Sequence, residues 1–162
     1  MSRTTKIIIG IVIGIVVLGA SCVGGIIALG YFVAGNTPEG ITLLFEYPDD
    51  VIVGDEFELT ITVQNHLPQQ RTLGDLDFYP NSLDGVTIKS INPRPNSDDG
   101  TYTLGMRTMT FNRPVPPNGE LPIVITMTAD QAGFFTGDVD ITIDGMLSIY
   151  STTQTLVINE PE

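Results

Sequence analysis

The sequence predicts an all-β fold, an antiparallel sandwich of about eight strands, preceded by one N-terminal transmembrane helix. Three observations support this prediction: a long apolar run without charges comes first, apolar and polar residues then alternate with period two, and turn residues separate the alternating runs. We expect a cytoplasmic N-terminus at residues 1–6, a membrane helix at 7–34, a linker at 35–40, a sandwich at 41–159 and a tail at 160–162.

The apolar run from Ile7 to Ala34 holds 28 residues without a charged side chain. As a helix it would be about 42 Å long, whereas the hydrocarbon core of a bilayer is about 30 Å thick. Arg3 and Lys6 precede the run and the next basic residue is Arg71, so the positive-inside rule keeps the N-terminus in the cytoplasm. We therefore expect a single-pass protein of the cytoplasmic membrane whose β domain is exported to the extracellular or cell-wall side.

Other interpretations of this segment stay open. Gly19-Ala20-Ser21 resembles the cleavage site of a secretory signal. Cys22, the only cysteine, follows it and resembles a lipid-attachment site, although Gly19 stands where such a site has an aliphatic residue. The apolar run continues past Cys22 to Val33, which favours an uncleaved anchor without lipid. Gly10 and Gly14 are spaced so that two such helices can approach closely, which makes a homo-oligomer through the membrane helix a second expectation.

Alternation of apolar and polar residues predicts the strands that follow. The clearest runs are Phe57 to Val63, Leu121 to Met127 and Val139 to Ile143, each with one face to bury. Weaker strands are predicted at Ile41 to Glu46, Leu73 to Tyr79, Val86 to Ile91, Tyr102 to Phe111 and Leu147 to Ile158. No helical pattern is found after residue 34.

Turn residues separate these strands. Residues that tolerate positive φ occur at Gly54, Asp84-Gly85, Asp99-Gly100, Asn118-Gly119 and Asp144-Gly145. Pro114, Pro116 and Pro117 cannot donate a hydrogen bond to a central strand, so Arg113 to Glu120 is predicted to be a connection.

The charge of the β domain excludes some partners. All 19 acidic residues but only five of the seven basic ones follow residue 34, which gives this part a net charge of −14. Nucleic acid binds to lysine and arginine that neutralise its phosphates, so it is not an expected partner. Solubility and mutual repulsion outside the cell explain the acidity without a specific role.

No set of residues indicates catalysis, a cofactor or a metal centre. His66 is the only histidine, whereas zinc and copper require three or four nitrogen or sulfur ligands and a nucleophilic triad needs a base beside a nucleophile. The paired aspartates Asp98, Asp99, Asp138 and Asp140 are weak calcium candidates, but none lies in an EF-hand loop. Strand alternation explains the carboxylates without a glycosidase pair. We therefore expect a protein that is not an enzyme and has no catalytic residue.

The order of these motifs resembles a known group of domains. Pro48-Asp49-Asp50 leads through Gly54 into the Phe57 strand, and Pro116-Pro117-Asn118-Gly119-Glu120 leads into the Leu121 strand, which Ala132-Gly133-Phe134-Phe135 follows. This arrangement resembles the immunoglobulin-like modules of bacterial and archaeal surface proteins, such as the cell-adhesion-related domain of bacteria. The resemblance implies an immunoglobulin-like sandwich in the cell envelope, although the cysteine pair and core tryptophan of true immunoglobulin domains are missing.

Together these features predict a prokaryotic, membrane-anchored binding, adhesion or scaffolding module whose partner is a protein or an envelope polymer. One alternative is a filament subunit of the pilin type, which also joins an N-terminal apolar helix to a β-sandwich. Another alternative, which the residues favour least, is a secreted or lipid-anchored hydrolase.

Overall fold

A computed structural model describes residues 38–98, 100, 105–145 and 149–161. The expected membrane helix lies outside these residues, together with Gly10, Gly14 and Cys22. Asp99 and parts of two predicted strands also lie outside them. None of the described residues belongs to a helix that is long and apolar enough to cross a membrane.

Ten strands make up the regular structure of the described residues. In chain order they are β1 Ile41–Glu46, β2 Val51–Ile52, β3 Glu56–Asn65, β4 Arg71–Phe78, β5 Val86–Asn92, β6 Ser97–Asp98, β7 Arg107–Val115, β8 Gly119–Ala129, β9 Gly133–Ile143 and β10 Ile149–Asn159. The three strongest strand predictions are confirmed as parts of β3, β8 and β9, and β1 has the bounds that the sequence predicts.

The strands form a sandwich of two sheets. One sheet has the order β1-β3-β8-β5, and the other has the order β2-β10-β9-β4-β7-β6. The predicted antiparallel sandwich needs two corrections, because β2 pairs with β10 in parallel and because β2 and β6 raise the number of strands to ten. Each of these two strands has only two residues, which is too short to show an alternating pattern.

Residues of both sheets meet in one apolar core. Ile61 of β3, Ile125 of β8 and Ile141 of β9 have no exposed surface, whereas Thr60, the neighbour of Ile61, is half-buried on the outer face. The pairing of β3 with β8 places Ile61 opposite Ile123. Burial of one such side chain contributes about 1.5–3 kcal/mol to folding. The predicted register of these strands is confirmed.

The proline-containing connection between β7 and β8 is shorter than the sequence predicts. β7 continues through Pro114 to Val115 and β8 begins at Gly119, so residues 116–118 alone form the connection that was predicted to run from Arg113 to Glu120. β6 pairs with β7 only at Met109 and Thr110, so Pro114 pairs with Thr72 of β4 on one side and has no strand partner among the described residues on the other. A strand tolerates proline where its missing N–H faces such an edge.

Positive φ angles occur at the turns that the sequence predicts. Gly54, Gly85, Asn118 and Asp144 all have such angles. At Gly85 the φ angle is 75°, and any side chain would also collide with the ring of Phe135. Glycine is therefore required there for its conformation and for its small size.

Candidate functional site

One polar surface lies on the outer side of the six-stranded sheet. It consists of Asp75 and Asp77 on β4, Asp138 and Asp140 on β9, and the threonines beside them, Thr108, Thr110, Thr142 and Thr153. We call these eight residues the acidic sheet face. Alternation along the strands places their carboxylates and hydroxyls outside, while the apolar residues between them enter the core.

Threonine hydroxyls donate hydrogen bonds to three of these carboxylates. Asp75 accepts from Thr110 at 2.7 Å and from Thr142 at 3.1 Å, so both of its oxygens have a partner. Thr108 donates to Asp77 at 2.5 Å, and Thr153 donates to Asp138 at 2.6 Å. The acidic sheet face therefore satisfies much of its own hydrogen-bonding capacity.

The same face keeps its negative charges close together. Asp77 of β4 and Asp140 of β9 lie directly opposite each other in the ladder, and Asp77 is only 8% exposed. Burial raises the pKa of Asp77, and the charges of Asp75 and Asp140 raise it further against the opposing hydrogen bond from Thr108. One oxygen of Asp140 is buried without a hydrogen-bond partner in the part of the chain that the structure describes.

The weak calcium candidates do not converge. Asp98 lies on β6, and β4 and β7 separate that strand from the β9 strand of Asp138 and Asp140. Asp99 lies outside the described residues. Within the described ranges, no group of three or more histidine, cysteine or acidic side chains is arranged to hold a metal ion.

His66 and Asp144 belong to separate local networks. The ring of His66 is exposed, and its Nε2 lies 3.1 Å from the hydroxyl of Thr42. Asp144 accepts hydrogen bonds from the Thr72 amide at 2.7 Å and from Arg71, with which it forms an ion pair. Each residue thus has a structural partner at the end of the sandwich where β1 begins.

A second polar surface lies where the last strands of the two sheets face each other. β5 and β6 are edge strands on the same side of the sandwich, and the loop 93–96 carries the chain from one sheet to the other. Between them is an open groove of about 690 Å³. Its lining includes Ile88, Lys89 and Ile91 of β5, Arg94 and Pro95 of the loop, and Arg107 of β7. We call this surface the basic groove.

Four of the five basic residues of the β domain are at or beside the basic groove. Lys89 and Arg94 are exposed and form no ion pair with any described residue. Arg113 donates a weak hydrogen bond of 3.4 Å to the Arg94 carbonyl, and its Nε is buried without a partner in the described ranges. A domain with a net charge of −14 thus has a local concentration of positive charge.

Arg107 differs from Lys89 and Arg94 because it is paired. Its Nε and Nη2 donate to the two carboxylate oxygens of Asp98 at 3.1 and 2.8 Å. Burial acts to raise the pKa of Asp98, but the hydrogen bonds from Arg107 and the Gly100 amide, together with the Arg107 charge, hold it below its usual range. This ion pair lies in the lining of the groove, where Lys89 and Arg94 have no ion-pair partner among the described residues.

Sequence reasoning missed the basic groove, although a signal for it was present. The net charge of the whole domain averages over the distribution of its basic residues along the sequence. The stretch from Lys89 to Arg113 contains four basic and two acidic residues, so it is positive within a strongly negative domain. Charge counted in a sliding window would have identified this stretch.

Comparisons with known proteins find neighbours among solved structures. No family model and no curated protein matches the chain. The chain is similar to the cupredoxin domain of amoB from Nitrosocaldus yellowstonii, with 11% identity, a TM-score of 0.45 and coverage of 78% of this chain and 92% of that one. It is also similar to a cohesin module from a Clostridium perfringens family 33 glycoside hydrolase, with 11% identity, a TM-score of 0.44 and coverage of 75% and 98%. The bacterial hydrophobin BslA is similar at 11% identity and a TM-score of 0.47, with coverage of 76% and 96%. Likenesses at this level assign no function to the chain.

Proposed function

We propose that this protein is a single-pass membrane protein whose β-sandwich lies outside the cytoplasmic membrane and binds an envelope partner without catalysis, in adhesion or scaffolding. The uncharged run from Ile7 to Ala34, with Arg3 and Lys6 before it, supports the anchor and its orientation. The basic groove is the observation that carries the binding role. Lys89 and Arg94 have no ionic partner among the residues that the structure describes, which supports the availability of their charges to a ligand.

The strand order supports an immunoglobulin-like assignment of the domain. Constant-type immunoglobulin domains have strands A, B, E and D in one sheet and C, F and G in the other. The order β1-β3-β8-β5 corresponds to A-B-E-D, and β10-β9-β4 corresponds to G-F-C. In this correspondence β2 is added after the first strand and β6 and β7 are added between D and E. The added β6 and β7 help to form the basic groove, which makes the groove a specific feature of this domain.

The acidic sheet face supports a role without catalysis. A carboxylate that acts as an acid or a base needs access to a substrate proton. Both oxygens of Asp75 instead accept hydrogen bonds from threonines, and Asp77 is almost fully buried beside Thr108. We propose that the aspartates of this face have a structural role, as acceptors of the threonine hydrogen bonds, and that the basic groove binds the partner.

Sedimentation with envelope material tests the binding role. Full-length protein in nonionic detergent is mixed with envelopes from cells that carry the gene, and the bound fraction is measured. We expect Lys89→Gln with Arg94→Gln to lower the bound fraction about three- to tenfold, since exposed charge pairs contribute about 0.2–1 kcal/mol each.

The matched control is Gln69→Glu with Gln70→Glu. These two exposed residues lie in the loop between β3 and β4, outside the lining of the groove, and the substitutions change the net charge by the same amount. The control should bind like the wild type. Equal binding by all three proteins would rule out the groove as the binding site.

A reporter fused after Glu162 tests the orientation. The fusion should behave as an exported protein, and mass spectrometry should find the N-terminal segment intact and without lipid. Cytoplasmic reporter activity would overturn the orientation, and a mature chain that begins at Cys22 would overturn the uncleaved anchor.

A further inference from the structure

We infer that the basic groove takes an extended acidic peptide, which adds as a strand along the free edge of β5. This inference rests on the binding role proposed above and names the chemical class of the ligand. It depends on three features of the described residues: a free strand edge, unpaired positive charges beside it, and apolar side chains between those charges.

The edge of β5 offers main-chain hydrogen bonds. β5 is the last strand of its sheet and pairs on one side only, with β8. The N–H and C=O groups on its other side have no strand partner among the residues that the structure describes. An extended peptide placed beside such an edge gains affinity from main-chain bonds and specificity from alternate side chains.

The side chains around this edge select an acidic peptide with apolar residues at alternate positions. Lys89 and Arg94 are exposed cations that can pair with carboxylates. Ile88, Ile91 and Pro95 are half-buried in the same groove and offer apolar surface. A strand whose side chains alternate between carboxylate and apolar groups matches both features, because alternate side chains point to opposite faces.

The local structure of β5 disfavours a second copy of the same strand. The pairing of β5 with β8 shifts register between Ile88 and Ser90, so Lys89 occupies a bulge. A charged residue on an edge strand disfavours pairing with an edge of like charge. The bulge acts on any added strand, so charge separates the two occupants, and an acidic strand brings the opposite charge to Lys89.

The charge of the domain disfavours a dense polyanion. Duplex DNA carries one charge per about 1.7 Å of its axis, and the net charge of −14 would repel it at long range. Lys89 and Arg94, which have no ion pair with any described residue, suit a ligand with a few spaced carboxylates. An acidic polysaccharide also supplies spaced carboxylates, but it has no peptide groups for the edge of β5, which allows an experiment to separate the two.

Fluorescence anisotropy with labelled peptides tests this inference. The probe is a peptide in which glutamate alternates with valine or threonine, and the protein is the full-length chain in nonionic detergent. Two further peptides have the same sequence with N-methyl groups on alternate main-chain nitrogens. One peptide carries them on its odd-numbered residues and the other on its even-numbered residues. We expect the parent peptide to bind and at least one methylated form to bind about tenfold more weakly, since methylation removes the ladder donors.

Variants connect this binding to the groove. Lys89→Gln with Arg94→Gln should weaken binding of the parent peptide about tenfold, and the control Gln69→Glu with Gln70→Glu should leave it unchanged. A peptide with lysine in place of glutamate should not bind.

Three results would overturn the inference. Equal binding of the parent and both methylated peptides would show that no strand is added. The second probe is oligogalacturonate, an acidic polysaccharide. Binding of oligogalacturonate without binding of the peptide would assign a polysaccharide ligand. Failure of both probes, with the groove variant still released from envelopes in the sedimentation assay, would refute the acidic peptide and leave the proposed function standing.

Discussion

Asp77 on the acidic sheet face and Asp98 beside the basic groove belong to the same six-stranded sheet, but their pKa values move in opposite directions. Burial raises the pKa of Asp77, and neighbouring carboxylates add to the effect. Burial also acts on Asp98, but there the hydrogen bonds from Arg107 and from the Gly100 amide, together with the charge of Arg107, outweigh it and lower the pKa. The difference lies in the partners, since the Thr108 hydroxyl binds Asp77 and the Arg107 guanidinium binds Asp98.

This comparison shows that a carboxylate needs a hydrogen-bond donor and a counter-charge for different reasons. A hydroxyl satisfies a carboxylate oxygen but leaves the negative charge in place, whereas a guanidinium also neutralises it. The acidic sheet face is therefore well bonded but crowded with charge. Among the described residues that line the basic groove, the carboxylate of Asp98 is neutralised by Arg107, while Lys89 and Arg94 keep the positive charge that we propose for a ligand.

The largest loss of stability should come from a carboxylate that has neither a hydrogen-bond donor nor a counter-charge. Ile61→Asp places one in the core, where no surface is exposed, and it should lower the free energy of unfolding by several kcal/mol and prevent folding. Circular dichroism during urea denaturation measures this. Thr60→Asp, one residue away on the outer face, should cost far less, and equal damage at both positions would contradict the strand register.

Removal of the counter-charge beside the basic groove should have the next largest effect. The side chains of Arg107 and Asp98 are 18% and 17% exposed, respectively. Asp98→Asn removes the charge that pairs with Arg107 and leaves the guanidinium without a counter-charge. We expect a loss of roughly 1–3 kcal/mol in the free energy of unfolding. The exposed Asp138→Asn serves as the control and should cost less than about 0.5 kcal/mol. Equal losses for the two variants would show that the Arg107 pair adds nothing.

Removal of a charge from the acidic sheet face should raise the free energy of unfolding. Asp77→Asn retains an oxygen to accept the hydrogen bond from Thr108 and removes the repulsion from Asp75 and Asp140. We expect it to stabilise the domain at neutral pH by roughly 0.5 kcal/mol, within the usual range for charge pairs across strands. A loss of stability in thermal denaturation would contradict the assigned role of repulsion.

The pH dependence of these variants separates the two carboxylates. Because the pKa of Asp77 is raised in the folded state, the contribution of Asp77 to folding stability is complete below pH 3.8, the ordinary pKa. This contribution is lost as the pH rises through the folded-state pKa. The lowered pKa of Asp98 means that its contribution is present above 3.8 and is lost as the pH falls through the folded-state pKa. We therefore expect melting curves at several pH values to differ between the variants and the wild type. Above pH 3.8 the stability of Asp77→Asn should fall less with rising pH than that of the wild type. Below pH 3.8 the stability of Asp98→Asn should fall less with falling pH than that of the wild type.

The smallest effect is expected from a chelator. The proposed function needs no metal, so the melting temperature of the full-length protein should not change, because only a ligand bound by the folded state raises stability by mass action. A drop of several degrees that calcium restores and that Asp138→Ala with Asp140→Ala abolishes would instead assign a calcium site to the acidic sheet face.

Local patterns in the sequence were sufficient for the strands with regular alternation. The register of Ile61, Ile125 and Ile141 could be predicted because neighbouring residues of a strand point to opposite faces whatever the strand pairs with. The turn at Asp84-Gly85 could be predicted because positive φ is a local requirement. The uncharged run from Ile7 to Ala34 predicts a membrane anchor on the same local grounds.

Tertiary structure decided which strands meet, and the functional surfaces depend on that. The pairing of β4 with β9 brings Asp77 opposite Asp140, although 62 positions separate them in the sequence. The crossing of the loop 93–96 between the sheets brings Lys89 and Arg94 beside Arg107. Alternation gives the face on which each side chain lies, but not its neighbour on the next strand, because strand pairing depends on packing across the whole domain.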